Sequence, residues 1–298
     1  MKNFPLDITA VVSVSDDGSS TGRLRQEFHI PAVGDIRRVL VALSETEPLV
    51  EKVLNYRFKT NSELNGHTVG NLLLTATANI SGNLSDGVEA IGSILNLKGK
   101  VLPLTEDNVV LMAKMQDGRI IEGEHNITES NGKIEEIFYK EKPIICESVI
   151  DAIKEADLII CSMGSLYTSI MPNLISKDIT DAIDESAAKV MYTCNMMTQP
   201  GETDDFTVVD HINAINKYLG NKKVQVVIAN NGEIKKEIIE KYATLEQKDP
   251  VLIDEKQRKE LERMNVELIE NNYAILEDEL IRHNTIKLAT DIFTYLIQ

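Results

Sequence analysis

The sequence predicts an α/β fold: a mostly parallel sheet with helices on both faces and a small β-hairpin lobe inserted at about residues 101–141. Three observations predict it. Short continuous apolar runs, such as 158–161 and 190–194, are too short for helices and read as strands covered on both faces. Between those two runs Ile179, Ala182 and Ile183 fall at helical spacing, which makes a strand–helix–strand crossover. The stretch 101–141 differs in character, and Asp117-Gly118 and Asn131-Gly132 within it are hairpin turn signals. Its length of 298 residues suits a single domain, 1–298, carrying that insertion.

Residues 7–15 form the first strand, which breaks into Asp16-Asp17-Gly18-Ser19-Ser20-Thr21-Gly22. A helix is expected from Asp35, an acceptable N-cap, with Ile36, Val39, Leu40 and Leu43 on one face. Gly66-His-Thr-Val-Gly-Asn71 opens another, with Val69, Leu72, Leu73 and Ala76 inward, and 86–97 form a third. After the inserted lobe, Val149, Ile153 and Ala156 mark a helix face before the strand at 158–161. Residues 206–219 read as a helix through Val208, Ile212, Ile215 and Leu219. Residues 223–230 form another covered strand, and 233–242 a helix. The span 244–275 is charged and weakly patterned, with at most one short strand near Val251. The last helix follows Arg282-His-Asn-Thr285 and turns Ile286, Ala289, Phe293 and Leu296 inward. Four covered strands end near Ser15, Ser162, Asn195 and Asn230 in small polar residues. A parallel sheet places such ends on one edge, where ligands bind.

An apolar fraction of 43% supports a real core. Forty-seven acidic against 31 basic residues give a charge of −16, which repels nucleic acid and anionic membrane. No apolar run reaches the roughly 20 residues of a membrane-spanning helix, and no basic start with an apolar segment marks a signal peptide. The three cysteines, Cys146, Cys161 and Cys194, are far apart and form neither a zinc motif nor a disulfide framework, so a cytoplasmic location is expected. The five histidines show no metal spacing.

Asp16-Asp17 at a strand end has three readings: accepting from ribose hydroxyls, holding Mg²⁺ beside phosphates, or capping the next turn. The loop from Gly18 to Gly22 is rich in N–H and O–H donors and can wrap an anion, as a plain loop could also look. Arg23, Arg25, Arg37 and Arg38 cluster nearby, which suits a phosphate site or ordinary salt bridging. Gly164-Ser165 follows a strand but misses the G-x-S-x-G pattern, so a hydrolase reading is weak. Tyr167 can stack on a base or simply pack. Asn195 and Gln199 offer amide groups suited to a uracil or amide edge.

Six ordered stretches together resemble a known family: Ser15-Asp-Asp-Gly-Ser-Ser-Thr-Gly-Arg-Leu-Arg, Pro31-Ala-Val-Gly-Asp-Ile-Arg, Gly66-His-Thr-Val-Gly-Asn-Leu-Leu-Leu, Gly164-Ser-Leu-Tyr-Thr-Ser-Ile-Met-Pro-Asn-Leu, Asn195-Met-Met-Thr-Gln-Pro-Gly-Glu-Thr and Arg282-His-Asn-Thr. They are similar to the YvcK group of gluconeogenesis factors, in the superfamily of CofD, the phospholactate transferase. The resemblance implies a Rossmann-like fold and a cytoplasmic regulator that binds a UDP-sugar, UDP-N-acetylglucosamine first among them. It implies a link between gluconeogenic growth, cell-wall precursor synthesis and cell shape, with a cell-wall precursor enzyme as partner. The alternative is a CofD-like transferase of a phosphorylated 2-hydroxy acid, with Mg²⁺ on Asp16 or Asp17 and otherwise no cofactor. A homo-oligomer is a further expectation.

Carried over by position, ligand contacts fall on Asp16, Asp17, Gly18, Ser19, Ser20 and Arg23, on Asp35, Arg37 and Asn71, on Gly164, Ser165 and Tyr167, and on Asn195, Thr198 and Gln199. In the C-terminal part, Tyr242 and Arg282 are expected to contact the sugar nucleotide and Thr285 to carry regulatory phosphorylation. The group's usual first strand and Gly-Gly-Gly-Thr-Gly loop have no counterpart before Asp7, so the chain is expected to be either a shortened form lacking those phosphate donors or one whose start is mis-called. Its Gly-Pro-Gly-Ser is replaced by Ser162-Met-Gly-Ser.

Overall fold

Apolar runs bounded by turn residues produce alternating strands and helices, and a computed structural model describes them over residues 1–277 and 280–298. The chain divides into two units, 2–129 with 135–152, and 130–134 with 153–298, Met1 lying with the latter.

In the first unit β1 (Thr9–Val12) leads through the Asp16–Gly18 turn into α1 (Ser19–Phe28) and α2 (Gly34–Leu43). There follow α3 (Pro48–Asn55), α4 (Val69–Ser81), α5 (Leu84–Ile94) and β2 (Lys100–Pro103), which lies parallel to β1 with Thr9 opposite Lys100. Local chemistry sets the helix ends. The Thr68 hydroxyl accepts from the Asn71 N–H at the start of α4, and the chain leaves α4 through Gly82 at φ +89°. The Asn83 side chain then accepts from the Asp86 N–H to begin α5. Ile36, Leu40, Leu74, Leu84 and Val88 are the buried stripes of these helices.

β3 (Leu111–Met115) and β4 (Ile120–Glu122) form an antiparallel hairpin around Asp117-Gly118. A short helix, α6 (Glu124–Thr128), comes next, and β5 (Ile134–Tyr139) completes a three-stranded sheet in the order β4-β3-β5. α7 (Glu147–Glu155) then carries the chain from one unit towards the other. The insertion therefore differs from the expected lobe at 101–141 in two ways. Residues 100–103 belong with β1, and a helix interrupts the hairpins. That helix has a physical cause outside the local sequence: the Asp17 carboxylate accepts from the His125 N–H at 2.8 Å, across 108 residues, while Ile127 is buried. Asn131-Gly132 consequently joins a helix to a strand rather than two paired strands.

The second unit holds β6 (Leu158–Cys161), a π-helical turn (Leu166–Ile170), a 3₁₀ turn (Met171–Leu174), α8 (Lys177–Glu185), β7 (Lys189–Thr193), α9 (Val208–Tyr218) and β8 (Val226–Asn230). It continues with α10 (Lys236–Glu246), α11 (Glu255–Arg263), β9 (Glu267–Asn271), the antiparallel pair β10 (Ala274–Glu277) and β11 (Leu280–His283), and α12 (Thr285–Leu296). The four strands β6-β7-β8-β9 are parallel and neighbour one another in sequence order, as helical crossovers dictate. Alternation along β7 covers both faces. Met191 packs with Val226, Ile228 and the α12 residues Leu288 and Ile292. Tyr192, on the other face, stacks on His211 of α9 with ring centroids 6.2 Å apart.

The strand ends at Ser162, Asn195 and Asn230 belong to this sheet, whereas β1, ending near Ser15, pairs with β2 in the other unit. α11 and β9 went unread because their apolar signal is thin. α11 buries only Gln257 and Leu261, and β9 is an edge strand of intermediate exposure.

Helices α4 and α5 cross so closely that a Cβ at Gly87 would lie 2.6 Å from the Ala78 backbone nitrogen and 2.7 Å from its Cα. Backbone cannot step aside as a side chain can. Gly87→Ala is therefore expected to destabilise the protein by about 1–3 kcal/mol in urea unfolding. A midpoint equal to that of the parent protein would show that the crossing is looser.

Candidate functional site

The end of β1 and the starts of α1 and α2 enclose a cleft in the first unit. Asp16, Gly18, Ser19, Ser20, Thr21, Gly34, Arg37, Arg38, Arg57, Asn71, Glu124 and His125 line it, with a volume of about 210 Å³. Among the described residues neither helix start carries a side-chain cap; the first turn of α1 holds no acidic residue and that of α2 holds Asp35. Their free N–H groups favour an anion. Glycine is needed here for close approach. A Cβ on Gly22 would strike the Asp17 carbonyl oxygen at 2.1 Å, and one on Gly34 would meet Thr21 Oγ1 at 2.6 Å and Asp16 Oδ2 at 2.7 Å.

Arg37 is the cationic wall. It is 7% exposed, and its Nε donates to Asn71 Oδ1 at 3.0 Å while Nη1 donates to Asn55 Oδ1. Among the described residues it has no carboxylate in ion-pair contact. Burial, with Arg38 and Arg57 nearby, works against its charge, yet a guanidinium stays protonated. Asn71 passes the chain on. Its Nδ2 donates to Ser20 Oγ at 3.3 Å, and Ser20 Oγ lies 2.9 Å from His67 Nδ1. His67 was not among the sequence candidates. It is buried, 47 residues from Ser20, and metal spacing was the wrong signal to seek in it.

The other predicted residues of this unit do different work. Asp16 Oδ1 accepts from the Gly18 N–H at 2.9 Å, forming the turn, and Oδ2 remains beside Gly34. Asp17 does not line the cleft; it holds α6. Asp35 pairs with Arg38 at 2.7 Å, and burial raises its carboxyl. Arg23 is outside the cleft and donates to the carbonyls of Glu63 and Asn65. Arg25 is buried and ties the carbonyls of Ser15 and Asp16 to Val109, which makes it a structural brace. Among the described residues no three His, Cys, Asp or Glu side chains converge to hold a metal. Asp16 and Asp17 face separate partners, so together they do not fit a metal cage.

In the second unit the strand-end residues gather around a side chain the sequence reading did not select, Glu202, which is 5% exposed. Ser165 Oγ donates to Glu202 Oε2 at 2.6 Å, the Tyr167 N–H donates to the same oxygen at 3.2 Å, and Gln199 Nε2 donates to Oε1 at 2.6 Å. Burial pushes the Glu202 carboxyl above its ordinary value, against the pull of the Ser165, Tyr167 and Thr168 donors. Asn195 Nδ2 donates to the Gly164 carbonyl at 2.7 Å, and its buried Oδ1 has no partner among the described residues. Thr198 is bound to Asp249 through its N–H and its hydroxyl. The Tyr242 hydroxyl accepts from the Ile281 N–H at 2.8 Å, fixing the β10–β11 hairpin to α10. Arg282 stands exposed on that hairpin, 4.0 Å from Glu277; Glu279, an acidic residue nearby in sequence, lies outside the described residues. Thr285 is exposed in the first turn of α12, where a phosphate would meet free N–H groups.

A cleft at two helix starts in one unit and polar strand ends on a parallel sheet in the other belong to an α/β protein of the open-sheet class. Comparison with known proteins sharpens that class. The model of the family of 2-phospho-L-lactate transferase CofD matches residues 1–274. The Gluconeogenesis factor of Bacillus subtilis (strain 168) is 44% identical over 291 residues, covering 97% of this chain and 90% of that protein. The Gluconeogenesis factor of Halalkalibacterium halodurans is 41% identical, with 97% and 89% covered. A crystal structure of a Bacillus halodurans protein superposes with a TM-score of 0.92 at 41% identity, covering 98% of this chain and 93% of that one. The chain belongs to the CofD family. Among the described residues no helix is long and apolar enough to cross a membrane.

Removing the Glu202 carboxylate strands three donors at once. Glu202→Ala is expected to cost about 1–3 kcal/mol, the range for buried groups left unpaired, and Glu202→Gln less. Because burial raises the carboxyl in the folded state, the native protein binds the proton more readily than the unfolded chain. Stability drawn from protonated Glu202 is thus fully present below the ordinary carboxylate value of the unfolded chain and lost as pH rises from there through the raised folded value, and Glu202→Gln flattens that slope. Unfolding followed against pH measures both. Parental stability in the Ala variant would mean that Glu202 does not hold the turn.

Proposed function

We propose that the chain is a regulator that binds a UDP-sugar, with UDP-N-acetylglucosamine as the ligand. In this reading it links gluconeogenic carbon flux to cell-wall precursor synthesis and cell shape, through a cell-wall precursor enzyme in the cytoplasm. The observation that carries the ligand class is Arg37, a buried cation with amide partners only, facing two uncapped helix starts. An anion placed there offsets the charge, and a phosphate accepts a guanidinium fork. The cleft is smaller than the roughly 300–1,000 Å³ of pockets that enclose whole ligands, which suits the diphosphate part of a larger molecule. The names of the relatives, gluconeogenesis factors, support the regulatory side. A second reading, a transferase like the one that gives the family its name, draws on Asp16. One Asp16 oxygen faces the same cleft, where a single carboxylate with substrate phosphates can hold Mg²⁺. Thr285 remains a candidate for phosphorylation, and assembly into a homo-oligomer belongs to the same reading.

Calorimetry with UDP-N-acetylglucosamine, and with GDP plus Mg²⁺, separates the two readings. The regulator reading expects the UDP-sugar to bind without Mg²⁺. Arg37→Ala is expected to weaken it by about 1.5–3 kcal/mol, the range for a charge-assisted hydrogen bond, with Arg37→Lys rescuing in part because it keeps charge without the fork. Arg282→Ala should weaken binding similarly without changing stability, since its exposed pairing with Glu277 contributes little. Binding of GDP with Mg²⁺ alone would favour the transferase. Unchanged affinity in Arg37→Ala would remove the cleft from the site.

A further inference from the structure

We propose that His67 makes anion binding in the α1–α2 cleft proton-coupled, by controlling where the Ser20 hydroxyl points its hydrogen. The proposal deepens the reading above, because it takes the ligand of that cleft to be an anion.

Arg37 is a donor whose role cannot change. The Arg37 guanidinium has no acceptor atom, so the Asn71 oxygen must face it, at 3.0 Å from Nε. That fixes the Asn71 amide and turns its NH₂ towards Ser20 Oγ at 3.3 Å. Ser20 thus already accepts one hydrogen bond and has one hydrogen to give. Its other neighbour is His67 Nδ1, at 2.9 Å. When His67 is neutral with Nδ1 bare, Ser20 donates to it, and no hydroxyl hydrogen is left for the cleft. When His67 is the imidazolium, Nδ1 carries a proton and donates to Ser20. Ser20 then accepts twice, and its hydrogen is released towards the cleft that it lines. The proton comes from solvent and stays on the imidazole; the hydroxyl keeps its own hydrogen, and no covalent bond changes.

The surroundings set the direction of the coupling. Burial, Arg23 and Arg57 press His67 towards the neutral form, and Glu27 pulls the other way. An anion in the cleft opposes the arginine charges and offers an acceptor to the released hydrogen. Its binding raises the His67 value, so a proton is taken up between the free and bound values. Affinity therefore improves as pH falls through that window and levels off below the free value.

The test is calorimetry of the wild-type protein with sulfate and with UDP-N-acetylglucosamine, in buffers of different ionisation enthalpy, from about pH 5 to 8. Neither anion titrates there, so protons taken up belong to the protein. The expected result is uptake approaching one proton per bound anion, and affinity rising up to about tenfold per pH unit at the steepest point. His67→Gln and Ser20→Ala should bind with flat pH profiles. Nitrogen NMR of the free wild-type protein, which needs no variant, should show His67 with Nδ1 unprotonated above the window. Binding without proton uptake, or a free protein with its proton on Nδ1, overturns the coupling and leaves the anion site standing. Failure of both anions to bind at any pH overturns the site and the coupling together.

Discussion

The first unit depends on one electrostatic constraint: a cation, Arg37, is buried at the start of α2 and, among the described residues, its hydrogen bonds go to the amide oxygens of Asn71 and Asn55. Burying an unpaired charge is costly, and shielding it takes several elements at once. Asn71 and Asn55 supply their oxygens from α4 and from the end of α3. Gly70 lets α4 approach, because a Cβ there would lie 2.7 Å from Arg37 Cδ and 2.9 Å from the Leu54 carbonyl oxygen. The uncapped starts of α1 and α2 add their partial positive charge instead of cancelling it. Asp16 and Glu124 also line the cleft and Asp35 stands in the first turn of α2, but among the described residues none of them forms an ion pair with Arg37, so positive potential remains there for an anion within a chain of net charge −16.

The second unit has the opposite arrangement. Glu202 is a buried carboxylate with no cation in contact among the described residues, and its charge is spread over Ser165, Tyr167 and Gln199. Those donors come from the end of β6 and from the turn after β7, so the carboxylate fixes two strand-end loops relative to each other. Gly201 belongs to the same economy of space. It takes φ +79°, and a Cβ would lie 2.9 Å from the Ser130 carbonyl oxygen. The β10–β11 hairpin is held in turn by Tyr242 and presents Arg282 at its surface.

The parallel sheet, its crossover helices and the Asp117-Gly118 hairpin were legible because each is written in local patterns: covered apolar runs, 3.6-residue stripes and a turn dipeptide. Of the arginine cluster, the sequence could show the density of charge but not its division of labour. Arg25 braces backbone, Arg23 grips two carbonyls, and Arg37 alone is both buried and turned to the cleft. α6 was invisible because its cap, Asp17, is distant in sequence. The Ser20–His67 pair was hidden for the same reason, while Glu202 sat inside a motif already singled out and was passed over because its burial follows from the folded turn. Where a contact joins residues far apart, composition and periodicity carry no trace of it.

If the ligand's anionic part sits between Arg37 and the starts of α1 and α2, UDP-N-acetylglucosamine should slow amide hydrogen exchange at residues 19–22 and 34–38. Exchange measured with and without the ligand decides this. Binding that leaves those amides unchanged would place the ligand elsewhere.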